Sequence, residues 1–338
     1  MNWIQSFAHT PRQRKEVAAM AVVLVLLALA PMFVYPVFMM KFMCMALFAA
    51  AFNLLMGYVG MLSFGHAAFY GCGAYLMAHA LKAWGLEPLL CLVLATCSAA
   101  LLGLLFGFIA IRRKGIAFSM ITLALAQLVA FAALRAPFTG GEDGIQDVSR
   151  GRLLGLIDLS SPVAIYAFVM VVFAMGMYLV WRIVNSPFGH VLEAIRANEA
   201  RALSVGYDID RYKLIAFTLS AAVAGLAGGT KTLVFQLATL SDVGFELSGE
   251  VLLMVLLGGV GTLFGPLVGA GIVILLESYF ASSDLPVPVM IGFVFILCVM
   301  LFRRGVVGEL MARDFNLFGL LGRKSKPVRT PPAVPEKH

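Results

Sequence analysis

Asn53, Ser63 and His66 fall in one glycine-rich stretch, NLLMGYVGMLSFGHAAFYGCGAY (53–75), set in an otherwise apolar chain. An amide, a hydroxyl and an imidazole can donate and accept hydrogen bonds, either with a small polar solute or with backbone freed at a helix end. Gly57, Gly60 and Gly65 allow close backbone approach and a break between two helical spans. Two readings stand side by side: a solute-contacting break, and a packing turn whose polar groups satisfy backbone. A second stretch, GGVGTLFGPLVGAG (258–271), carries Gly258, Thr262 and the GxxxG series Gly261, Gly265 and Gly269, with Pro266 placed to interrupt a helix. Packing explains the GxxxG spacing, and a break that lines a cavity suits a hinge or gate. Lys231 closes a small-residue segment, AGLAGGTK, while Glu250 and Glu277 lie at the edges of apolar runs. Ionisable groups at membrane depth are candidates for function. A Lys can also snorkel to the interface, and an acid in a first helical turn suits the helix dipole.

Several chemistries are excluded. The sequence has no GxxxxGK[ST] and no Gly-Lys pair, so it holds no P-loop for ATP. It has no HExxH, no Gly-x-Ser-x-Gly and no pair of His on one helical face, and no residue is assigned a catalytic role. Cys44, Cys72, Cys91, Cys97 and Cys298 lie in apolar segments without a CxxC pair. They read as small core hydrophobes, with no metal site and no disulfide.

One internal stretch is built for water: SPFGHVLEAIRANEARALSVGYDIDRYK (186–213). Ser186 and Pro187 suit a helix start. Phe188, Val191, Leu192, Ile195, Ala202 and Leu203 recur at helical spacing, and Gly206 offers the stop, which predicts one amphipathic helix. Its acids (Glu193, Glu199, Asp208, Asp210) balance its bases (Arg196, Arg201, Arg211, Lys213). A helix lying on anionic lipid would be basic on its polar face, so a protein partner suits this one better.

The elements that must hold these groups are membrane helices. The chain is 61% hydrophobic and 13% charged, with mean hydropathy +0.95, where an ordinary soluble domain is about 25% charged. Apolar runs predict an all-α polytopic protein of about ten spans, near 17–35, 37–57, 64–81, 86–111, 116–134, 163–182, 213–235, 248–260, 264–280 and 286–302. The eighth is short for a crossing and leaves a re-entrant pairing with the ninth open. A barrel would show short alternating segments instead. Arg12, Arg14 and Lys15 precede the first run, which is followed by no small-residue cleavage site, so an uncleaved first helix is expected. The net charge of +7 does not imply nucleic acid, because the basic residues flank apolar runs. Most fall on one side, leaving Lys41, Lys82, Arg135, Arg150, Arg152 and Lys231 on the other. The positive-inside rule then puts both termini and loop 183–213 in the cytoplasm, and loop 135–162 outside as a structured cap or landing surface. Residues 1–322 form one transmembrane domain, and the Pro-rich basic tail 323–338 is expected to be disordered in the cytoplasm.

Four segments together resemble the permeases of branched-chain amino-acid ABC importers: NLLMGYVGMLSFGHAAFYGCGAY, TGGEDGI, SPFGHVLEAIRANEARALSVGYDIDRYKLIAF and LLGGVGTLFGPLVGA, in that family's order from about 53 to 275. The pattern is closer to the larger of the two permease types. The resemblance implies a bacterial inner-membrane subunit, surrounded by lipid, that forms half of a pathway for leucine, isoleucine and valine. It implies a second permease subunit, two cytoplasmic ATPase subunits that bind the ATP and Mg, and an external (periplasmic) substrate-binding protein; this chain itself binds no cofactor. Asn53, Ser63, His66, Thr262 and Lys231 are then the pathway candidates. Glu193, Arg196, Glu199, Ala200, Arg201 and Gly206 are the ATPase-coupling candidates. Glu199-Ala200 and Gly206 resemble the Glu-Ala-Ala…Gly coupling signature, although Arg201 replaces the second Ala and Gly206 falls one residue late. Replacing Glu199 is expected to weaken association with the ATPase. Related permeases for urea, short amides or other organic solutes share these motifs. An ion-coupled secondary transporter is the alternative of another class, and it would carry inverted repeats.

Overall fold

The computed structural model describes residues 11–153, 157–281, 287–301 and 305–309. Helix α1 (Pro11–Leu29) is followed by α2 (Pro36–Asn53), a π-helical turn (Leu54–Val59), α3 (His66–Lys82), α4 (Pro88–Ala110), α5 (Ile116–Arg135) and α6 (Pro162–Val184). Then come α7 (Pro187–Ala197), α8 (Glu199–Ser204), α9 (Ile209–Phe235), α10 (Phe245–Gly258), α11 (Gly265–Phe280) and α12 (Val287–Leu301). Proline stands in the first turn of α2, α4, α6 and α7, where its missing N–H costs nothing.

Each expected apolar segment coincides with a helix. Among the described residues, five are long and apolar enough to cross a membrane: Pro36–Val59, Pro88–Ala110, Ile116–Arg135, Pro162–Val184 and Ile209–Phe235. The expected eighth span starts earlier than its apolar run, because α10 opens at Phe245. Glu250 therefore lies inside that helix rather than in its first turn. With 14 residues, α10 is about 21 Å long at 1.5 Å per residue, short of a hydrocarbon core of roughly 30 Å.

The centre of the bundle is α2 and α9, both largely buried. Small residues bring backbones together around them. A Cβ at Gly228 would collide with the Tyr70 carbonyl of α3, and one at Gly225 would strike Ala99 of α4. In lipid, where no hydrophobic drive separates helix from solvent, such close packing is what holds helices together. The outer faces of α1, α4 and α5 present Val25, Leu26, Leu104, Phe108, Leu128 and Phe131 outward, a surface suited to acyl chains. Helix α1 is fixed to α6 by Glu16, whose carboxylate accepts from Trp181 Nε1 at 3.2 Å and Asn185 Nδ2 at 3.1 Å.

The loop after α5 is ordered over its described residues and carries a ribbon in which β1 (Arg152–Leu153) runs antiparallel to β2 (Ile157–Asp158). Ile145 and Ala238 exchange backbone hydrogen bonds of 2.9 Å, so the loop lies on the segment after α9. Arg150 donates to the carbonyls of Leu233 (3.1 Å) and Val234 (2.9 Å). It thereby satisfies orphan acceptors at the negative end of the α9 dipole. Beyond α12, Gly305 comes against Gly259: a Cβ there would lie 2.5 Å from the Gly259 Cα. Arg303, Arg304 and the tail 323–338, expected to be cytoplasmic, lie outside the described residues.

Candidate functional site

Both glycine-rich stretches are breaks, and the structure brings them together. The first begins where α2 widens into the π-helical turn, a geometry that often marks functional positions. It ends at Gly60, whose φ of +82° an L side chain rarely adopts. The second runs from the end of α10 through Gly261 (φ +78°) to α11. Here Thr262 Oγ1 donates to the Gly259 carbonyl (2.8 Å) and accepts from Gly265 N–H (3.1 Å), which closes the turn locally. Pro266 does not interrupt a helix as expected; it sits in the first turn of α11, where proline starts one. Gly265 and Gly269 pack against Gly258 and Met254 of α10, so part of the GxxxG series is packing and Gly261 is the turn.

Asn53 joins the two breaks. Its Nδ2 donates to the Thr262 carbonyl and its Oδ1 accepts from Gly261 N–H, both at 2.9 Å, from a side chain only 2% exposed. Gly57 leaves room for this clamp: a Cβ there would strike Asn53 Oδ1 and lie 2.7 Å from Gly261 N.

The water-facing segment reaches the same point. It is not one helix but two, because Asn198 takes an extended conformation and its side chain caps α8 by accepting from Arg201 N–H at 3.0 Å. Asparagine competes with helical backbone in this way, a preference that the regular apolar spacing had hidden. Leu192 and Ile195 of α7 are buried, and Phe188 stacks on Tyr212 of α9 with centroids 5.5 Å apart. From α7, Arg196 Nη1 donates to the Gly57 carbonyl. Its stem crosses Gly60, and the same Nη1 lies 2.9 Å from where a Gly261 Cβ would stand. Arg196 as a whole is nonetheless exposed to solvent. One residue of the docking segment thus touches both breaks.

Glu199 is spent within the chain. Its carboxylate accepts from Lys114, between α4 and α5, and from Lys213 of α9, whose side chain is 5% exposed. Partial burial pushes its pKa up, but the hydrogen bonds from Lys114 and Lys213, then their charges, outweigh that and hold it below the ordinary carboxylate value. What faces outward is Glu193, Ala200, Arg201, Gly206 and the apolar pair Leu203 and Val205.

The other pathway candidates do not meet at the junction. Ser63 is fully buried and accepts from Gly65 N–H (3.3 Å), as a turn residue does. His66 is enclosed by the rings of Phe52 and Phe69, with its Nε2 2.9 Å from Ser220 Oγ. Ser220 has one hydroxyl hydrogen and donates it to the Ala51 carbonyl, so His66 must be the donor in this pair. It ties α3 to α9 and, through Ser220, to α2. Lys231 stands apart, paired with Asp242 at 2.7 Å. Sequence reasoning missed Ser220 and Asp242, whose partners come from other elements or a later turn and leave no local spacing to read.

Helices long and apolar enough to cross a membrane, packed around the buried α2 and α9, are those of a multi-pass membrane protein. The chain belongs to the family described as branched-chain amino acid transport system / permease component, whose pattern matches residues 34–302. It is 30% identical over 241 residues to the high-affinity branched-chain amino acid transport system permease protein LivM of Escherichia coli (strain K12), covering 64% of this chain and 57% of that relative. It is 25% identical over 236 residues to the probable branched-chain amino acid transport permease protein LivH of Methanocaldococcus jannaschii, covering 65% and 73%. It is also 27% identical over 185 residues to the ribose import permease protein RbsC of Haemophilus influenzae, covering 51% and 54%. The match thus spans little more than half the length of the Escherichia coli relative.

Proposed function

We propose that this chain is a permease subunit of an ATP-binding-cassette importer and forms half of an inward pathway for leucine, isoleucine and valine. Two cytoplasmic ATPases carry the ATP and Mg, a second permease completes the pathway, and an external binding protein delivers substrate. Family membership and the absence of a P-loop support this reading. The observation that carries it is the tether: Arg196, on the helix pair best suited to a protein partner, holds the Gly57 carbonyl beside the Asn53 clamp. A movement of α7 and α8 imposed by an ATPase is then felt at both breaks at once. The chain crosses the inner membrane about ten times with both termini inside. Ser63 and His66 keep α3 in place, while Asn53 and Thr262 border the moving part of the pathway.

The test is reconstitution in liposomes of all subunits, with leucine, isoleucine, valine and urea offered in turn. Uptake of the three amino acids that requires both ATP and the ATPases is expected. Uptake by this chain alone on an ion gradient would overturn the mechanism. A preference for urea would overturn only the choice of substrate.

Glu199 has a separate expectation. Its exchange for Gln should destabilise the α8 region by about 2 kcal/mol, chiefly by leaving Lys213 buried without a partner. Faster hydrogen exchange in 199–213 and weaker retention of the ATPase check this. Because the folded pKa is depressed, the clasp is complete above an ordinary Glu value of about 4.3 and is lost only as pH falls through the folded value. Uptake between about pH 5.5 and 8 should carry no titration from this group.

A further inference from the structure

At the far ends of α2, α9, α10 and α11 from the Arg196 junction lies a cavity of about 370 Å³ that the tether does not use. We propose that it is a binding site for an aliphatic amino acid in its zwitterionic form, a station on the import pathway; this rests on the import reading above. The size falls at the small-molecule end of ligand pockets, roughly 300–1,000 Å³.

The lining matches the three parts of such a molecule. Lys41 and Lys231 bring positive charge, and Asp242, Glu246, Glu250 and Glu277 bring carboxyl groups. Two of the acids are already paired: Glu277 with Lys41 at 2.8 Å, and Asp242 with Lys231 at 2.7 Å. Asp242 is held further by Thr239 N–H at 2.9 Å. Glu246 makes no ion pair among the described residues, and Glu250 meets the carboxyl of Glu277, with the charge of Lys41 acting on it as well. They lie four apart on α10, so they share one face of that helix. Four carboxyl groups face two lysines, and the acids of α10 in that excess make a seat for an ammonium group. Lys41 offers an ammonium with three donors, of which the pair with Glu277 uses one, and it is the group to receive a carboxylate. Met45, Phe235 and Leu247 supply an apolar wall for the side chain.

The position gives the site a consequence. Helix α2 carries Lys41 near one end and Asn53 at the other, and α10 carries Glu250 and then the second break. Asn53 lies twelve steps along α2 from Lys41, about 18 Å along the axis. Occupancy of the cavity therefore bears on the helices whose inner ends Asn53 and Arg196 hold together.

The experiment uses the whole importer in nanodiscs, without its binding protein, and measures equilibrium binding of tritiated leucine. Competition is by leucinamide, which lacks the carboxylate, and by 4-methylpentanoate, which lacks the amine. Both are expected to compete at least about tenfold more weakly than leucine, the scale of one lost charge-assisted contact. Glu250→Gln, which keeps the shape, should weaken leucine by a similar factor and erase the preference over 4-methylpentanoate alone. Lys41→Gln should erase the preference over leucinamide alone. Equal competition by all three ligands, or unchanged leucine binding in a folded Glu250→Gln importer, would overturn the site. If Lys41→Gln does not fold, the wild-type competition and Glu250→Gln still decide. Uptake by the same wild-type complex with ATP and binding protein is measured in parallel. Absent uptake condemns the import reading, whereas intact uptake with binding indifferent to Glu250 condemns this site only.

Discussion

Replacing Arg196 with Met should leave the importer assembled and hydrolysing ATP while leucine uptake per ATP falls by roughly 10- to 100-fold. The Met stem still covers Gly60, but nothing donates to the Gly57 carbonyl, which Arg196 Nη1 now holds. A hydrogen bond from a charged donor contributes about 1.5–3 kcal/mol, and each 1.4 kcal/mol is a factor of about ten. What is lost is the stiffness with which α7 drags the first break, so the defect belongs in the ratio of uptake to hydrolysis rather than in either rate alone. Arg196→Lys should recover part of the ratio, because an ammonium can reach one acceptor but cannot lie flat between Gly57 and Gly261. The idea fails if the methionine variant keeps the wild-type ratio. A variant that loses its ATPase altogether would place Arg196 in the docking surface instead.

Asn53→Ala carries the second large effect. It removes a donor to the Thr262 carbonyl and an acceptor for Gly261 N–H from a site that is 2% exposed. Each buried backbone group left without a partner costs about 1–3 kcal/mol, so the two together should lower stability by about 2–6 kcal/mol. Thermal melting in detergent reads that loss directly. Asn53→Asp separates the two bonds, since a carboxylate still accepts from Gly261 N–H but cannot donate to Thr262. An intermediate melting temperature with uptake reduced at least as far as in the alanine variant would place the Thr262 bond in the moving part of the cycle. Equal melting temperatures for wild type and Asn53→Ala would show that water replaces the clamp and that the breaks are not joined through it.

What could be read in advance was chemistry confined to a few neighbouring residues. The glycines around Asn53 and after Gly258, the polar stretch from Ser186 and the proline-led helix starts all announce themselves within one window. Contacts between distant segments do not. Nothing near Arg196 points to Gly57, 139 residues away, and nothing near Lys41 points to Glu277, 236 residues away. Two local readings also went astray, each because one rule masked another. Regular apolar spacing across Asn198 hides its capping preference, and Pro266 reads as a breaker although proline is equally at home opening a helix. For His66 the sequence leaves two readings open, a solute contact and a packing group. Its companion, Ser220, lies on a helix that sequence proximity could not associate with it.

The glycine beyond the last helix has a practical side. Gly305 lies so close to Gly259 that a side chain at 305 would strike the Gly259 backbone. A crosslinker or label that replaces Gly305 itself would push on the turn between α10 and α11. Reporter placement is therefore not innocent in this protein: a label at Gly305 disturbs the break beside it, while one on the ribbon at Arg152–Leu153 lies on another segment.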